Sequence, residues 1–162
     1  MHPINNFTKV CVITTILFII SGCGFRLQGH YQLPTSLQSL NVQSQDKFNE
    51  ITRLVTTQLS QQKVQLNTNN TSPVLRLGKE KFERGTLSLF STGQVAEYEL
   101  IYSLEYQLIE PNEEPKLFNV TIRRDYLDDP QTAQAKSRER EQLLREIRQQ
   151  ASRQIIQQLS RL

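Results

Sequence analysis

The chain has few of the side chains on which metal sites and most enzymes depend. Its 162 residues include no tryptophan, one methionine, two histidines and two cysteines. A metal site or a nucleophilic triad needs Cys, His or carboxylate groups gathered on rigid elements. Both cysteines and His2 lie within the first 23 residues, and only His30 follows them. We therefore expect no enzyme activity, no metal and no disulfide after Cys23.

Long hydrophobic runs are also missing, apart from one near the N-terminus. Residues 10–20 have the length of the apolar region of a secretory signal and fall short of the ~20 residues that span a membrane. They lead into Ile20-Ser21-Gly22-Cys23, which is typical of a bacterial lipobox. The pattern predicts that residues 1–22 are a cleaved lipoprotein signal peptide and that Cys23 becomes an acylated N-terminus. The alternatives are a plain secretory signal and an apolar helix that ends in cysteine by chance.

The net charge is small, but the basic residues are clustered. A formal charge of +3 is too weak an excess to indicate a nucleic-acid-binding protein. One cluster precedes and opens the last predicted helix, and the other lies in the middle of the chain. Their members are Arg123, Arg124, Lys136, Arg138 and Arg140, and Lys79, Lys81 and Arg84. Clustered cations suit a phosphorylated ligand such as an anionic lipid, whereas ion pairs with glutamates along the helix are the simpler interpretation.

Hydrophobic periodicity predicts an α+β domain. Even-numbered apolar residues from Tyr98 to Leu108 alternate with polar ones and indicate a strand buried on one face. Two helices are predicted. The first has Asp46 as its N-cap and an apolar face that begins with Phe48, and the second begins at Asp129-Pro130 and carries an apolar stripe from Ala133 to Leu162. The expected order is β-α-β-β-β-α, with two amphipathic helices packed on one face of a four-stranded, mostly antiparallel sheet. One irregular strand is expected from Val74 to Phe90, with a bulge at Gly85, and a turn is expected over residues 91–94 with Gly93 at positive φ.

Three sequence stretches resemble the LptE family of lipopolysaccharide-assembly lipoproteins, also called rare lipoprotein B. They are Cys23-Gly24-Phe25-Arg26-Leu27-Gln28-Gly29, then Gly93-Gln94-Val95-Ala96-Glu97-Tyr98-Glu99-Leu100, and Arg124-Asp125-Tyr126 leading through Asp129-Pro130-Gln131 to Ala135-Lys136. Their order and spacing carry the resemblance, which runs from the signal to about Leu159. It implies a signal peptide over 1–22, a lipid-anchored tether over 23–36 and a single domain over 37–162.

The resemblance also implies a function. Family members are outer-membrane lipoproteins that plug the β-barrel LptD one to one, help to assemble it and bind lipopolysaccharide (LPS) on its way to the cell surface. They are not enzymes, and they carry no cofactor beyond the N-acyl and S-diacylglycerol lipid, here expected on Cys23. Gly24, which is not aspartate, favours sorting to the outer membrane, with the lipid in its periplasmic leaflet.

The family pattern assigns site residues to two places. Arg84, Arg124 and Lys136 would contact LPS phosphates, and the turn Phe90-Ser91-Thr92-Gly93-Gln94 would face the outer loops of the barrel. Ser91 stands where relatives can carry a basic residue. Two other functions remain open: a chaperone or accessory of another outer-membrane assembly machine, and an envelope hydrolase that uses His30.

Overall fold

A mixed six-stranded sheet and two helices make up the fold in a computed structural model that describes residues 31–45, 48–69, 71–127 and 133–162. The α+β class is confirmed, but the sheet has six strands where four were predicted. The elements are β1 (Ser39–Ser44), α1 (Glu50–Gln61), β2 (Gln65–Leu66), β3 (Val74–Leu77), β4 (Lys81–Leu89), β5 (Val95–Ile109), β6 (Lys116–Leu127) and α2 (Ala133–Leu159). None of the helices in these ranges is both long and apolar enough to cross a membrane.

Strand β5 is the central strand of the sheet and pairs with three others. On one edge it pairs antiparallel first with β4 and then with β3, and on its other edge with β6. Strand β3 pairs in parallel with β1, which also pairs in parallel with the two-residue β2. The predicted alternation is confirmed, because Leu100, Tyr102, Leu104, Tyr106 and Leu108 are all buried. The sheet is therefore mostly antiparallel, as predicted, and one of its faces forms the core.

Both helices contribute an apolar stripe to that core. In α1 the buried residues Ile51, Val55 and Leu59 recur every four positions, which places them on one face. In α2 the predicted stripe is confirmed from Leu144, which is partly buried against the core, to Leu159. Its buried hydrophobic residues are Ile147, Ala151, Ile155, Ile156 and Leu159. These side chains form one cluster with the buried residues of β1, β3, β5 and β6.

Predictions about helix ends were less accurate. Helix α1 begins at Glu50 with Asn49 in the N-cap position, so the predicted cap at Asp46 is wrong; residue 46 itself lies outside the described residues. Phe48, expected on the apolar face of that helix, is 96% exposed. Leu162, expected in the stripe of α2, is exposed because the helix ends at Leu159. The predicted start at Asp129-Pro130 lies outside the described residues.

The segment predicted as one irregular strand after Val74 is divided at Gly78. The Gly78 N–H donates to the carbonyl oxygen of Glu105 at 2.9 Å, and a Cβ on Gly78 would lie 2.6 Å from that oxygen. No side chain fits there without displacing the backbone. Gly85, where a bulge was predicted, instead pairs regularly with Glu99, and the irregular register follows between Thr86 and Leu89. The break between β3 and β4 thus occurs where the backbones of Gly78 and Glu105 are in close contact.

Candidate functional site

Two of the basic residues singled out from the sequence lie in one row of the sheet. Arg84 of β4 and Arg124 of β6 are both register partners of Leu100 in β5. Directly paired residues project from the same face, so both arginines lie on the face that carries Leu100. Two inter-strand spacings separate their Cα atoms, or about 10 Å. Strand pairing therefore unites residues that are 40 positions apart in the sequence.

Arg124 is held in place by neutral groups. Its Nη1 donates to the carbonyl oxygen of Arg123 at 3.1 Å, and its Nη2 donates to Oε1 of Gln150 in α2. The side chain is exposed and forms no ion pair with a carboxylate in the described ranges. Its positive charge is oriented but not neutralised, which suits it to bind an anion.

Arg84 belongs to a stack of planar groups. Its guanidinium carbon lies 4.1 Å from the centre of the Tyr98 ring. The rings of Tyr98 and Tyr126 stack with their centres 5.7 Å apart and an interplanar angle of 28°. A cation over an aromatic ring contributes ~0.5–1 kcal/mol at an exposed site. The stack restricts the side-chain conformations of Arg84 and extends over three strands to Tyr126, two residues from Arg124 in β6.

The remaining predicted site residues are only partly described. Lys136 lies in the first turns of α2, the helix that contacts Arg124 through Gln150, and its side chain lies outside the described structure. Cys23 and His30 lie outside the described residues. The structure thus brings Arg84 and Arg124 together, and the positions of the Lys136 side chain and the Cys23 anchor remain predictions.

The turn between β4 and β5 has the predicted local geometry. Gly93 has a φ of +82°, and its N–H donates to the carbonyl oxygen of Phe90 at 2.9 Å. The Phe90 N–H closes the turn on the carbonyl oxygen of Gln94 at 2.8 Å. All five turn residues are exposed, including the aromatic ring of Phe90, which is 50% exposed. Leu87 and Leu89 are exposed just before the turn, so the tip of this hairpin presents both apolar and polar side chains to solvent.

An ionic network between the two helices and the sheet was not predicted. Arg148 of α2 donates through Nε to Glu80 at 2.9 Å and through Nη1 to Glu50 of α1 at 3.0 Å. Its guanidinium also lies 5.1 Å from the centre of the Phe82 ring. Ion pairs with glutamates along the helix were the simpler prediction for its arginines, and for Arg148 this is wrong because its partners are 68 and 98 residues distant. No periodic signal in a single sequence marks so distant a pair.

The shifted pKa values have structural causes. Burial raises the pKa of the Tyr106 hydroxyl, which donates to Gln158 at 2.5 Å. Burial, and then the neighbouring Glu80 carboxylate, raise the pKa of the Tyr102 hydroxyl. Lys116 has a raised pKa because it donates to the carboxylates of Glu110 and Glu113 at a hairpin. No group of three metal-ligating side chains occurs in the described ranges.

Comparisons with known proteins agree on one family. The family model for LptE, described as lipopolysaccharide-assembly, matches residues 37–159. The chain is 34% identical over 151 residues to the LPS-assembly lipoprotein LptE of Pectobacterium atrosepticum, covering 91% of this chain and 82% of the relative. It is also 34% identical over 146 residues to the LPS-assembly lipoprotein LptE of Yersinia enterocolitica, covering 88% of this chain and 70% of the relative.

Solved structures show the same fold. The crystal structure of rare lipoprotein B from Shewanella oneidensis superimposes with a TM-score of 0.71 at 49% identity, covering 75% of this chain and 93% of that one. A solution structure of a lipoprotein B from Nitrosomonas europaea gives a TM-score of 0.68 at 23% identity, covering 85% and 90%. The first supports the family and the second the fold.

The chain belongs to the LptE family of lipopolysaccharide-assembly lipoproteins, since the family match spans well over half of its length. It is a non-enzymatic lipoprotein of the LPS-assembly system of the outer membrane. The family predicted from the three sequence stretches is confirmed.

Proposed function

We propose that this chain is anchored by a lipid on Cys23 in the periplasmic leaflet of the outer membrane and forms a one-to-one plug in the β-barrel LptD. In this proposal, residues 1–22 are removed, residues 23–36 form a tether and residues 37–162 form the plug. The plug helps the barrel to assemble and binds LPS during its transfer to the cell surface. Membership of an LPS-assembly family supports this proposal.

LPS binding is assigned to the face that carries Arg84 and Arg124, together with Lys136. The observation that carries this assignment is the shared row of the two arginines on either side of Leu100. Guanidinium groups bind phosphate through two parallel hydrogen bonds. Arg124 meets only neutral groups in the described structure, which supports its assignment to a phosphate.

The hairpin turn Phe90–Gln94 is assigned to the outer loops of the barrel. Its five exposed residues lack any charge, so the turn contributes backbone and apolar contacts rather than phosphate contacts. Ser91 in particular replaces the cation that relatives can carry there. The cationic part of the site therefore lies on the sheet, below the turn.

Copurification tests the partnership. The full-length chain with an affinity tag is extracted in mild detergent from cells in which it replaces the native copy. A large outer-membrane barrel should be recovered in equal amount. Recovery of a different assembly machine would contradict the proposal and favour an accessory of that machine. Loss of fatty-acid labelling in Cys23→Ala is the matching test of the anchor.

A charge-reversal series tests LPS binding. Arg84→Glu with Arg124→Glu should weaken binding of purified LPS by roughly 100-fold, because two charge-assisted hydrogen bonds at ~1.5 kcal/mol each are lost. Lys136→Asp should weaken it further. Arg145→Glu with Arg153→Glu is the matched control, since both arginines are exposed on α2 and make the same change in net charge. Equal losses in the two double variants would show that only net charge matters.

A further inference from the structure

Gln150 of α2 contacts the face of the sheet to which LPS binding is assigned. Its Oε1 accepts a hydrogen bond from Nη2 of Arg124, which links the helix to β6. Its Nε2 has no hydrogen-bond partner in the part of the chain that the structure describes. Gln150 is partly buried, whereas Arg124 is exposed. The amide thus holds one side of the guanidinium and keeps its own two N–H donors available.

The carboxylates of α2 in the described ranges do not pair with Arg124. The last acidic residue of the helix is Glu146, because residues 147–162 include no aspartate or glutamate. Glu146 lies one turn before Gln150 on the same side of the helix. Its Oε1 accepts from Nε2 of Gln142 at 2.9 Å, and it forms no ion pair with Arg124. A neutral amide therefore stands at position 150, where a glutamate would cancel the charge of the arginine.

Arg148, two residues earlier on the same helix, has the opposite environment. Its side chain is 19% exposed and pairs with Glu80 at 2.9 Å and Glu50 at 3.0 Å. A cation removed from water needs such partners, and they neutralise it. Arg124 has five N–H donors, of which neutral oxygens accept from two, so three remain. Arg148 is therefore neutralised inside the fold, whereas Arg124 is oriented and keeps its charge for a ligand.

We propose that Gln150 is a positioning residue that holds Arg124 ready for a phosphate group of LPS without cancelling its charge. This inference rests on the proposed function, because it takes LPS as the ligand. A carboxylate at this position would hold the guanidinium and neutralise it, and an apolar side chain would leave it charged but free to rotate. Restricting the side chain beforehand reduces the entropy that binding must remove. The Nε2 of Gln150 adds a donor beside those that Arg124 retains, which suits a group with several acceptor oxygens.

The test compares Gln150→Glu with Gln149→Glu in the full-length chain. Both variants replace an amide of α2 by a carboxylate of the same length, but Gln149 is exposed and adjacent helical positions face different directions. Gln150→Glu should weaken binding of purified LPS about tenfold, because an internal ion pair then competes with the phosphate for Arg124. Gln149→Glu should change it less than about twofold, because solvent screens an exposed charge. The urea midpoint of Gln150→Glu should not fall, since the new pair is neutral or slightly favourable for folding.

A ligand without phosphate separates a role at the site from a general effect on the fold. With LPS from which the phosphates have been removed, Gln150→Glu should bind within about twofold of the unmodified chain, because no phosphate then depends on Arg124. Gln150→Met keeps the charge of the site but removes the amide, and it should weaken binding of intact LPS about threefold through loss of orientation. In an Arg124→Gln background, Gln150→Glu should cost no more than Gln149→Glu.

The outcomes distinguish this inference from the proposed function. Unchanged LPS affinity in Gln150→Glu, an equal loss in Gln149→Glu, or an equal loss with the dephosphorylated ligand would overturn the role of Gln150. If Arg124→Gln still weakens binding in that case, the LPS site itself stands. Failure of the unmodified chain to bind LPS would instead overturn the proposed function, and the inference with it.

Discussion

Two buried tyrosines on the same strand should respond in opposite directions to loss of the hydroxyl group. Tyr102 and Tyr106 both project from β5 into the core, and both are essentially inaccessible to solvent. The Tyr106 hydroxyl donates to Oε1 of Gln158 in α2. The Tyr102 hydroxyl oxygen is buried and has no hydrogen-bond partner in the described structure. Tyr102→Phe and Tyr106→Phe therefore remove the same atom from contrasting environments.

The expected magnitudes follow from hydrogen-bond energetics. Tyr106→Phe should lower the free energy of unfolding by about 1–2 kcal/mol, because a net favourable bond is lost and Gln158 is left without its donor. Burying a hydroxyl without a partner costs ~1–3 kcal/mol in protein mutational data. Tyr102→Phe removes that cost, so it should raise the free energy of unfolding by about 1 kcal/mol, allowing for the small cavity that remains.

Urea unfolding at pH 7, followed by circular dichroism, measures both values. The midpoints of the two variants should lie on opposite sides of the unmodified chain with similar slopes, and the double variant should be additive to within ~0.5 kcal/mol. Glu80 lies near the Tyr102 hydroxyl and contributes to its raised pKa. Destabilisation of Tyr102→Phe by ~1.5 kcal/mol or more would show that this hydroxyl donates to the Glu80 carboxylate, and the reasoning would be refuted.

Three further predictions concern the same core and its connections. Gly78→Ala should destabilise the fold by ~1–3 kcal/mol, because its Cβ would meet the carbonyl oxygen of Glu105. Gly85→Ala should change stability by less than ~0.5 kcal/mol, because the nearest atom to its Cβ is a side-chain oxygen of Glu99 at 4.0 Å. Similar urea midpoints for the two variants would contradict this. Arg148→Met should cost about 3 kcal/mol, since it leaves Glu80, which is 8% exposed, without its cation, and Arg153→Met is the control that should leave thermal unfolding unchanged. The free energy of unfolding should fall as the pH rises above about 10, by up to ~1.4 kcal/mol per pH unit for each of Tyr102 and Tyr106. The reason is that each tyrosine keeps its proton in the folded state, whereas the unfolded chain, with the ordinary pKa of 10.0, releases it. In urea unfolding at a series of pH values, the free energy of unfolding of each phenylalanine variant should depend less steeply on pH.

The parts of the fold predicted correctly are those governed by local pattern. Strand β5 was recognised because apolar and polar residues alternate along it, and that alternation reflects burial on one face only. The turn at Gly93 was recognised because a glycine follows small polar residues after an apolar run. The stripe of α2 was recognised because apolar residues recur along it at helical spacing. Such features require knowledge of only a few neighbouring residues.

The parts that were missed depend on residues far apart in sequence. Gly85 and Gly78 look alike in the sequence, and only the approach of the Glu105 carbonyl shows that Gly78 is the one that must lack a side chain. Arg148 follows a helical pattern that suggests local ion pairs, but its carboxylates come from α1 and the segment before β4. Of the site, the arginines could be named from the sequence and family pattern, but their common row could not, because it depends on the register of three strands.

Strand β5 has two environments along its length, and this has a consequence for motion. Its C-terminal half lies between β3 and β6, with side chains from both helices in the same core, whereas its N-terminal half lies between β6 and the largely exposed β4. Local opening costs least where few apolar contacts are broken. Amide exchange should therefore be slow at Leu104–Leu108 and faster toward Val95, so that one continuous strand joins a stable base to a hairpin able to adjust its shape on contact.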